Sequence, residues 1–213
     1  MIRYLLALAL VAAALPARPA GAAPEPAAEV AARAAERGVA AAPLVAPVRD
    51  AQRRGLPDRV VADKVLEGLA KGVPPDRVAA VAGALVQRLS DADAVLARAP
   101  AGLAPPHDRP AALVDLAGAL GAGVDRGTVD ALLGAARGGS GGADAAVAAA
   151  RVLGALGQRG VPLPDALPLG RALAAHPRAA ADVVPAFDAW RADGGQDPRA
   201  FVGDAGRPHG RNH

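Results

Sequence analysis

Residues 55–78 read GLPDRVVADKVLEGLAKGVPPDRV, a helical stretch enclosed by two copies of one turn. Each turn contains glycine, an aliphatic residue, and then proline and aspartate. Glycine adopts the left-handed backbone that ends a helix, and proline suits the first turn of the next helix, where its missing N–H would be unpaired anyway. Aspartate interacts favourably with the positive end of the helix dipole. These residues therefore predict two helices joined by a short turn.

The same kind of turn signal recurs along the chain. Gly38, Gly55 and Gly72 lie 17 residues apart, and later signals follow at intervals of 15 to 19 residues. The later signals are Ser90-Asp91, Pro105-Pro106, Gly123-Val124, Gly141-Gly142, Gly160-Val161 and His176-Pro177. Short turns between helices of similar length are typical of antiparallel neighbours. The pattern predicts helix-turn-helix units of about 17 residues, forming an irregular bundle or a short α-solenoid.

Composition independently favours an all-α fold. Of the 213 residues, 52% are hydrophobic but only 2% are aromatic, so the core must be built from alanine, leucine and valine. Small side chains allow helices to pack closely, whereas a β-sheet favours the isoleucine, tyrosine, phenylalanine and threonine that are nearly absent here.

Hydrophobic spacing predicts which helix faces are packed. The residues predicted to lie on packed faces are Val61, Val65, Leu66 and Leu69 in the third helix and Val78, Val81, Leu85 and Leu89 in the fourth. Glu67 and Lys71 form a favourable i,i+4 pair on the polar side. Ser90 and Asp93 resemble a capping box that would begin a separate helix. The other helices are predicted at about 27–37, 44–54, 91–98, 111–121, 128–137, 143–157, 165–175 and 178–192.

Loop-rich segments suggest how the chain is divided. The proline-rich stretch 99–110 predicts a boundary near residue 104, between an N-terminal helical unit at 23–104 and a C-terminal unit at 105–192. Residues 193–213 are rich in glycine and polar residues and predict a disordered tail.

The N-terminus has the pattern of a secretory signal peptide. Arg3 precedes an apolar run from Leu5 to Leu15, and small residues follow Pro16. Eleven apolar residues are too few to span a bilayer, which needs about 20. The small residues of Ala20-Gly21-Ala22 predict cleavage after Ala22, so residues 1–22 would be removed and the protein would be periplasmic or secreted. An uncleaved anchor and a buried N-terminal helix are the alternatives.

Charge and cysteine usage exclude several classes of function. Removal of residues 1–22, which contain Arg3 and Arg18 but no acid, reduces the 24 basic residues to 22 against 21 acidic ones. A net charge near +1, without aromatic residues interleaved among basic ones, disfavours nucleic-acid binding. The absence of cysteine excludes disulfides, a thiolate nucleophile, cysteine-based metal sites and a lipoprotein anchor.

No constellation in the sequence predicts catalysis. Gly138–Gly142 matches G-x-S-x-G around Ser140, with Asp165 and His176 downstream, but that motif acts only between a strand and a helix. A flexible linker explains the five residues better. The four histidines, His107, His176, His209 and His213, form no metal-binding helix motif. We therefore predict no catalytic, cofactor or metal site, and the carboxylates alone single out no acid–base pair.

Phe187 and Trp190 are the candidate residues for docking a partner. They lie three residues apart on the last predicted helix and share a face, near Phe201. The alternative, favoured because large aromatic side chains are usually buried, is that they close the end of the core.

One segment resembles a known group of proteins. Asp63–Val78 (DKVLEGLAKGVPPDRV) is similar to a stretch found in uncharacterised secreted helical proteins of GC-rich bacteria, and the resemblance covers residues 38–98. It implies export and a helix-turn-helix structure, and it transfers no functional residue.

Three functions remain open. The first is a non-enzymatic exported protein that binds a protein or peptide in the cell envelope, since packed helical repeats create extended binding surfaces. The second is a membrane-surface or structural envelope protein that uses amphipathic helices. The third is an enzyme without a recognisable motif.

Export is tested by the mass and location of the natively expressed protein. We expect a chain that begins at Ala23, found in the periplasm or the medium, because the signal sequence is removed during translocation. Intact-mass spectrometry combined with cell fractionation checks this. A full-length chain in the cytoplasm or the membrane would contradict it.

Overall fold

The computed structural model of the protein describes residues 25–176 and 180–205. Within these residues it contains ten α-helices and no strand, which confirms the all-α prediction. The helices are α1 Pro26–Glu36, α2 Ala42–Arg53, α3 Asp58–Ala70, α4 Pro75–Ala97, α5 Arg109–Gly121, α6 Arg126–Ala136, α7 Gly142–Gln158, α8 Leu163–Ala175, α9 Ala180–Ala192 and α10 Pro198–Ala205. The predicted signal segment 1–22 lies outside the described residues.

The repeated turn has the hydrogen bonds of a Schellman motif. Gly72 has φ +68°, its N–H donates to the Leu69 carbonyl at 3.1 Å, and the Val73 N–H donates to the Gly68 carbonyl at 3.0 Å. The same pair of bonds follows α1, α2, α5 and α7. Each turn thus pairs carbonyls that the end of a helix would otherwise leave unpaired. Five of the predicted turns therefore share one backbone structure.

Aspartate lies in the first turn of α3, α4 and α8 as predicted, and two other aspartates form N-caps. Asp108 accepts a hydrogen bond from the Ala111 N–H at 3.0 Å, and Asp125 accepts one from the Thr128 N–H at 2.9 Å. These N-caps pair amide groups that have no partner inside the helix. Proline occupies the first turn of α4 and α8. Side-chain N-caps thus begin α5 and α6, whereas proline in the first turn helps to begin α4 and α8.

One predicted turn is wrong. The chain continues as helix through Ser90-Asp91, so α4 has 23 residues and the predicted helix at 91–98 is its C-terminal part. No glycine or proline interrupts this region, and buried residues recur at helical spacing through Val86, Leu89 and Ala92. Asp93 caps no helix here. Instead it forms an ion pair with Arg109 of α5.

Each helix packs chiefly on its near neighbours in the chain. Every substantial helix–helix interface joins helices that are one or two places apart, such as α1 with α2 and α3, or α7 with α8 and α9. This order of neighbours is typical of helical repeats. The predicted boundary near residue 104 falls in the loop between α4 and α5. These two helices pack together, and one hydrophobic core extends from α1 to α10.

The prediction of a disordered tail is wrong for Pro198–Ala205, which form α10. Phe201 lies edge-on to Phe187 with ring centroids 5.1 Å apart, and Val202 is buried. Arg199 of α10 forms an ion pair with Asp165 of α8 at 2.8 Å. Burial of these apolar side chains opposes the entropy cost of ordering the segment. Residues 206–213 lie outside the described part of the chain.

The contact between α3 and α4 predicts opposite effects for two glycine substitutions. A Cβ added at Gly68 would lie 2.7 Å from Val78 Cγ2, whereas one added at the exposed Gly83 would meet nothing within 4 Å. We expect Gly68→Ala to lower the free energy of unfolding by about 1 kcal/mol, because the clash outweighs the gain in helix propensity. Gly83→Ala should raise it by about 0.5–1 kcal/mol. Urea unfolding of the mature protein measures both, and stabilisation by both substitutions would contradict the close contact.

Candidate functional site

The structure does not assemble the residues around Ser140 into a triad. The loop that contains Ser140 joins α6 to α7, and its Gly139 lies against the backbone of Ala175. Ser140 is therefore near His176, yet within the described residues no hydrogen bond joins the two. Asp165 lies at the other end of α8, about 16 Å from His176 along the helix axis, and pairs with Arg199. The three side chains thus have no common site.

The aromatic residues form a cluster at the C-terminal end of the core. Phe187 contacts both Trp190 and Phe201, at centroid distances of 5.6 and 5.1 Å, and is only 1% exposed. Trp190 and Phe201 are half-buried. Gly195 packs against the indole ring of Trp190, and Arg191 donates to the Gly195 carbonyl at 3.0 Å. Docking of a partner through Phe187 and Trp190 stays a prediction. Because Phe187 is buried, a partner could contact only the exposed parts of Trp190 and Phe201 in this cluster.

A groove between α3 and α4 combines an exposed apolar side chain with unneutralised positive charge. This α3–α4 groove has a volume of about 260 Å³. The residues lining it are Lys64, Glu67, Gly68, Lys71, Val73, Arg77, Val78 and Val81. All but Val81 belong to Asp63–Val78, the segment that resembles uncharacterised secreted proteins.

Close packing of the two helices forms the floor of the groove. Gly68 has no side chain, so Val78 of α4 lies against the backbone of α3 and is buried. Val73, in the turn between the helices, is partly buried against the core. The groove is therefore a fixed feature of the α3–α4 pair, set by one glycine and the Schellman turn.

The packed face predicted for α4 is wrong at Val81. Val78 and Leu89 are buried as expected, but Val81 is 41% exposed, because the buried stripe continues through Ala82 and Val86 instead. Among the described residues, Val81 is the one large hydrophobic side chain that is exposed. Val81 therefore lies at the edge of the groove with part of its side chain accessible to solvent.

The charged side chains of the groove are unbalanced. Glu67 accepts hydrogen bonds from Lys64 Nζ at 2.8 Å and from Lys71 Nζ at 2.5 Å, which confirms the predicted pair with Lys71. Arg77 forms no ion pair with any of the described residues. The side chains that line the groove thus comprise three cations and one carboxylate, a net charge of +2. Lys64 and Lys71 are the only lysines of the chain.

The ion pairs strongly favour the charged form of Glu67. Hydrogen bonds from Lys64 and from Lys71, together with their positive charges, lower the pKa of Glu67 from 4.5 to about 2. Glu67 is therefore a carboxylate at any physiological pH.

Other depressions of the described surface do not combine an exposed large apolar side chain with an excess of positive charge. A larger groove of about 610 Å³ lies between the N-terminal parts of α3 and α5, and its walls are mainly apolar. Its arginines are already paired, Arg59 with Glu29 and Asp63, and Arg109 with Asp93. A third depression, between α5 and α7, contains His107, whose backbone N–H donates to Asp144. Nowhere in the described residues do three potential metal ligands of the His, Cys, Asp or Glu type come together.

Comparison with protein families, with characterised proteins and with solved structures gave no match for this chain. The geometry of the α3–α4 groove is therefore the principal observation that bears on function. Sequence reasoning did not identify this groove. The available signal was the presence of the only two lysines, seven residues apart, in a chain whose other cations are all arginine.

The low pKa of Glu67 predicts a measurable titration. Because its folded-state pKa lies below that of the unfolded chain, the ion pairs stabilise the fold fully above about pH 4.5, and this contribution is lost as the pH falls towards 2. We expect the Glu67 carboxyl carbon in NMR spectra to titrate with a midpoint of about 2. Replacing both Lys64 and Lys71 by glutamine should raise that midpoint towards 4.5. A wild-type midpoint near 4.5 would show that the lysines do not hold this carboxylate in solution.

Proposed function

We propose that the protein is an exported, non-enzymatic helical module of the cell envelope that binds another protein or a peptide in the α3–α4 groove. The N-terminal pattern of residues 1–22 supports export. No helix in the described part of the chain is long and apolar enough to cross a membrane. The partner would then be met at the surface of this helical domain.

The exposed side chain of Val81 carries the proposal. Full burial of a valine contributes about 1.5–3 kcal/mol, and a partner that covers the 41% of Val81 that is exposed gains the corresponding fraction. Here Val81 lies beside Val73 and among three cationic side chains. Protein interfaces combine an apolar centre with a polar rim in this way. A volume of about 260 Å³ is below the range of about 300–1,000 Å³ typical of small-molecule sites, so it fits one or two side chains of a peptide better than a whole small ligand.

A membrane-surface role is the second candidate. Lys64, Lys71 and Arg77 around an apolar side chain would also suit an anionic lipid surface, where each basic residue contributes about 1 kcal/mol. Val81 alone, however, offers much less apolar surface than the continuous face of a membrane-bound amphipathic helix. The observation therefore favours a protein or peptide partner.

Amine-reactive cross-linking in the exporting cell tests the proposed function. Because Lys64 and Lys71 are the only lysines, cross-links on lysine can originate only at the rim of this groove. We expect mass spectrometry to identify one recurrent partner attached to Lys64 or Lys71 in the wild type. Val81→Asp should remove that cross-link, because a carboxylate would replace an apolar side chain that the partner covers.

Val60→Asp is the matched control. Val60 is a half-buried valine in the groove between α3 and α5, so its substitution introduces the same charge outside the proposed site. The cross-link should persist in this variant. A cross-link that survives Val81→Asp, or that Val60→Asp removes instead, would contradict binding in the α3–α4 groove.

A further inference from the structure

We infer that the ligand of the α3–α4 groove is an acidic peptide segment that also presents an aliphatic side chain, and that Glu67 competes with it for Lys71. This inference rests on the proposed function and specifies the chemistry of its partner. Two features of the groove support it: the apolar contact at Val81 and the sharing of two ammonium groups by one carboxylate.

The apolar part of the ligand is indicated by the floor and edge of the groove. Val73 and the buried Val78 both line the groove, and Val81 lies three residues after Val78 on the same face of α4. No aromatic ring lines the groove, so stacking on a planar ligand does not contribute. A leucine, isoleucine or valine side chain is the complement of this surface.

The acidic part of the ligand is indicated by the net charge of +2. Lys64 and Lys71 share the two oxygens of Glu67, and Arg77 has no acidic partner among the described residues. All the cations of the groove are at its rim, where a ligand carboxylate can approach without being buried. A peptide with carboxylates flanking its aliphatic residue therefore satisfies both the apolar and the charged surfaces, and a basic peptide is repelled.

Glu67 holds the position that a ligand carboxylate would take at Lys71. The side chain of Lys71 is 67% exposed and that of Glu67 is 43% exposed, so neither is fixed by packing. A ligand carboxylate can therefore take over Lys71 while Glu67 keeps its bond to Lys64 on the other oxygen. Glu67 thus acts as an internal competitor, and it lowers the affinity for the ligand even though it lies outside the apolar surface.

Fluorescence anisotropy with a defined peptide tests this inference on the mature protein. The probe is a fluorescein-labelled peptide of alternating leucine and glutamate, and the control peptide has lysine in place of glutamate. We expect the acidic peptide to bind, Lys71→Gln to weaken binding about two- to fivefold, and Glu67→Gln to strengthen it about two- to fivefold at low salt. Both effects should disappear at about 1 M salt, where the Debye length is only about 3 Å.

Glu36→Gln is the matched control for net charge. Glu36 is an exposed carboxylate of α1, paired with Arg33 outside the α3–α4 groove, and its substitution changes the charge of the protein as Glu67→Gln does. It should leave the affinity unchanged. If the acidic peptide binds but Glu67→Gln weakens binding or leaves it unchanged, Glu67 is not a competitor and the inference is overturned while the proposed function stands.

Two further outcomes overturn the inference. One is equal binding of the acidic and basic peptides, or no binding of either, which would show that the charge of the groove does not select the ligand. The other is binding to phosphatidylglycerol vesicles, but not to the acidic peptide, with the same dependence on Lys71, which would identify the site as a membrane contact. If the cross-link to the cellular partner still depends on Val81, only the inferred chemistry of the ligand is wrong. If it does not, the proposed function itself fails.

Discussion

Close approach of helix backbones is the constraint on which this protein depends. With 2% aromatic residues, the core consists almost wholly of alanine, valine and leucine, and such small side chains fill an interior only when the helices lie near each other. Glycines mark close contacts between helices, at Gly68 against Val78 and at Gly154 against the backbone of Ala119. A methyl group added at either position would press on the neighbouring helix, so these glycines determine how closely the helices pack.

The repeated Schellman turn determines which helices contact each other. Each turn reverses the chain within a few residues, and each helix then contacts the helices one or two places away. A surface formed by two adjacent helices is therefore determined by a short segment of sequence. The α3–α4 groove illustrates this, since all but one of its lining residues come from Asp63–Val78. Ion pairs between the side chains of Lys64, Glu67 and Lys71 complete it, and among the described residues no distant segment lines the groove.

The sequence allowed prediction of the helices and most turns, because glycine, proline and aspartate act on the backbone within a few residues. It failed where a tertiary contact decided the outcome. The polar pair Ser90-Asp91 suggested a turn, but burial of the face around Leu89 kept α4 continuous. Phe201 ordered α10 by packing on Phe187, which sequence composition could not reveal. The exposure of Val81 depends on how α4 is rotated against α2 and α3, and periodicity alone cannot determine this to within one residue.

The central claim is that an exposed valine and unneutralised cations make the α3–α4 groove a binding site. The most direct measurement is methyl NMR of the mature protein with labelled valine, during titration with the leucine–glutamate peptide. We expect the methyl signals of Val73, Val78 and Val81 to shift together and to saturate with a single dissociation constant. Shifts confined to Val60 and Val114 would place binding in the groove between α3 and α5 and would contradict the account.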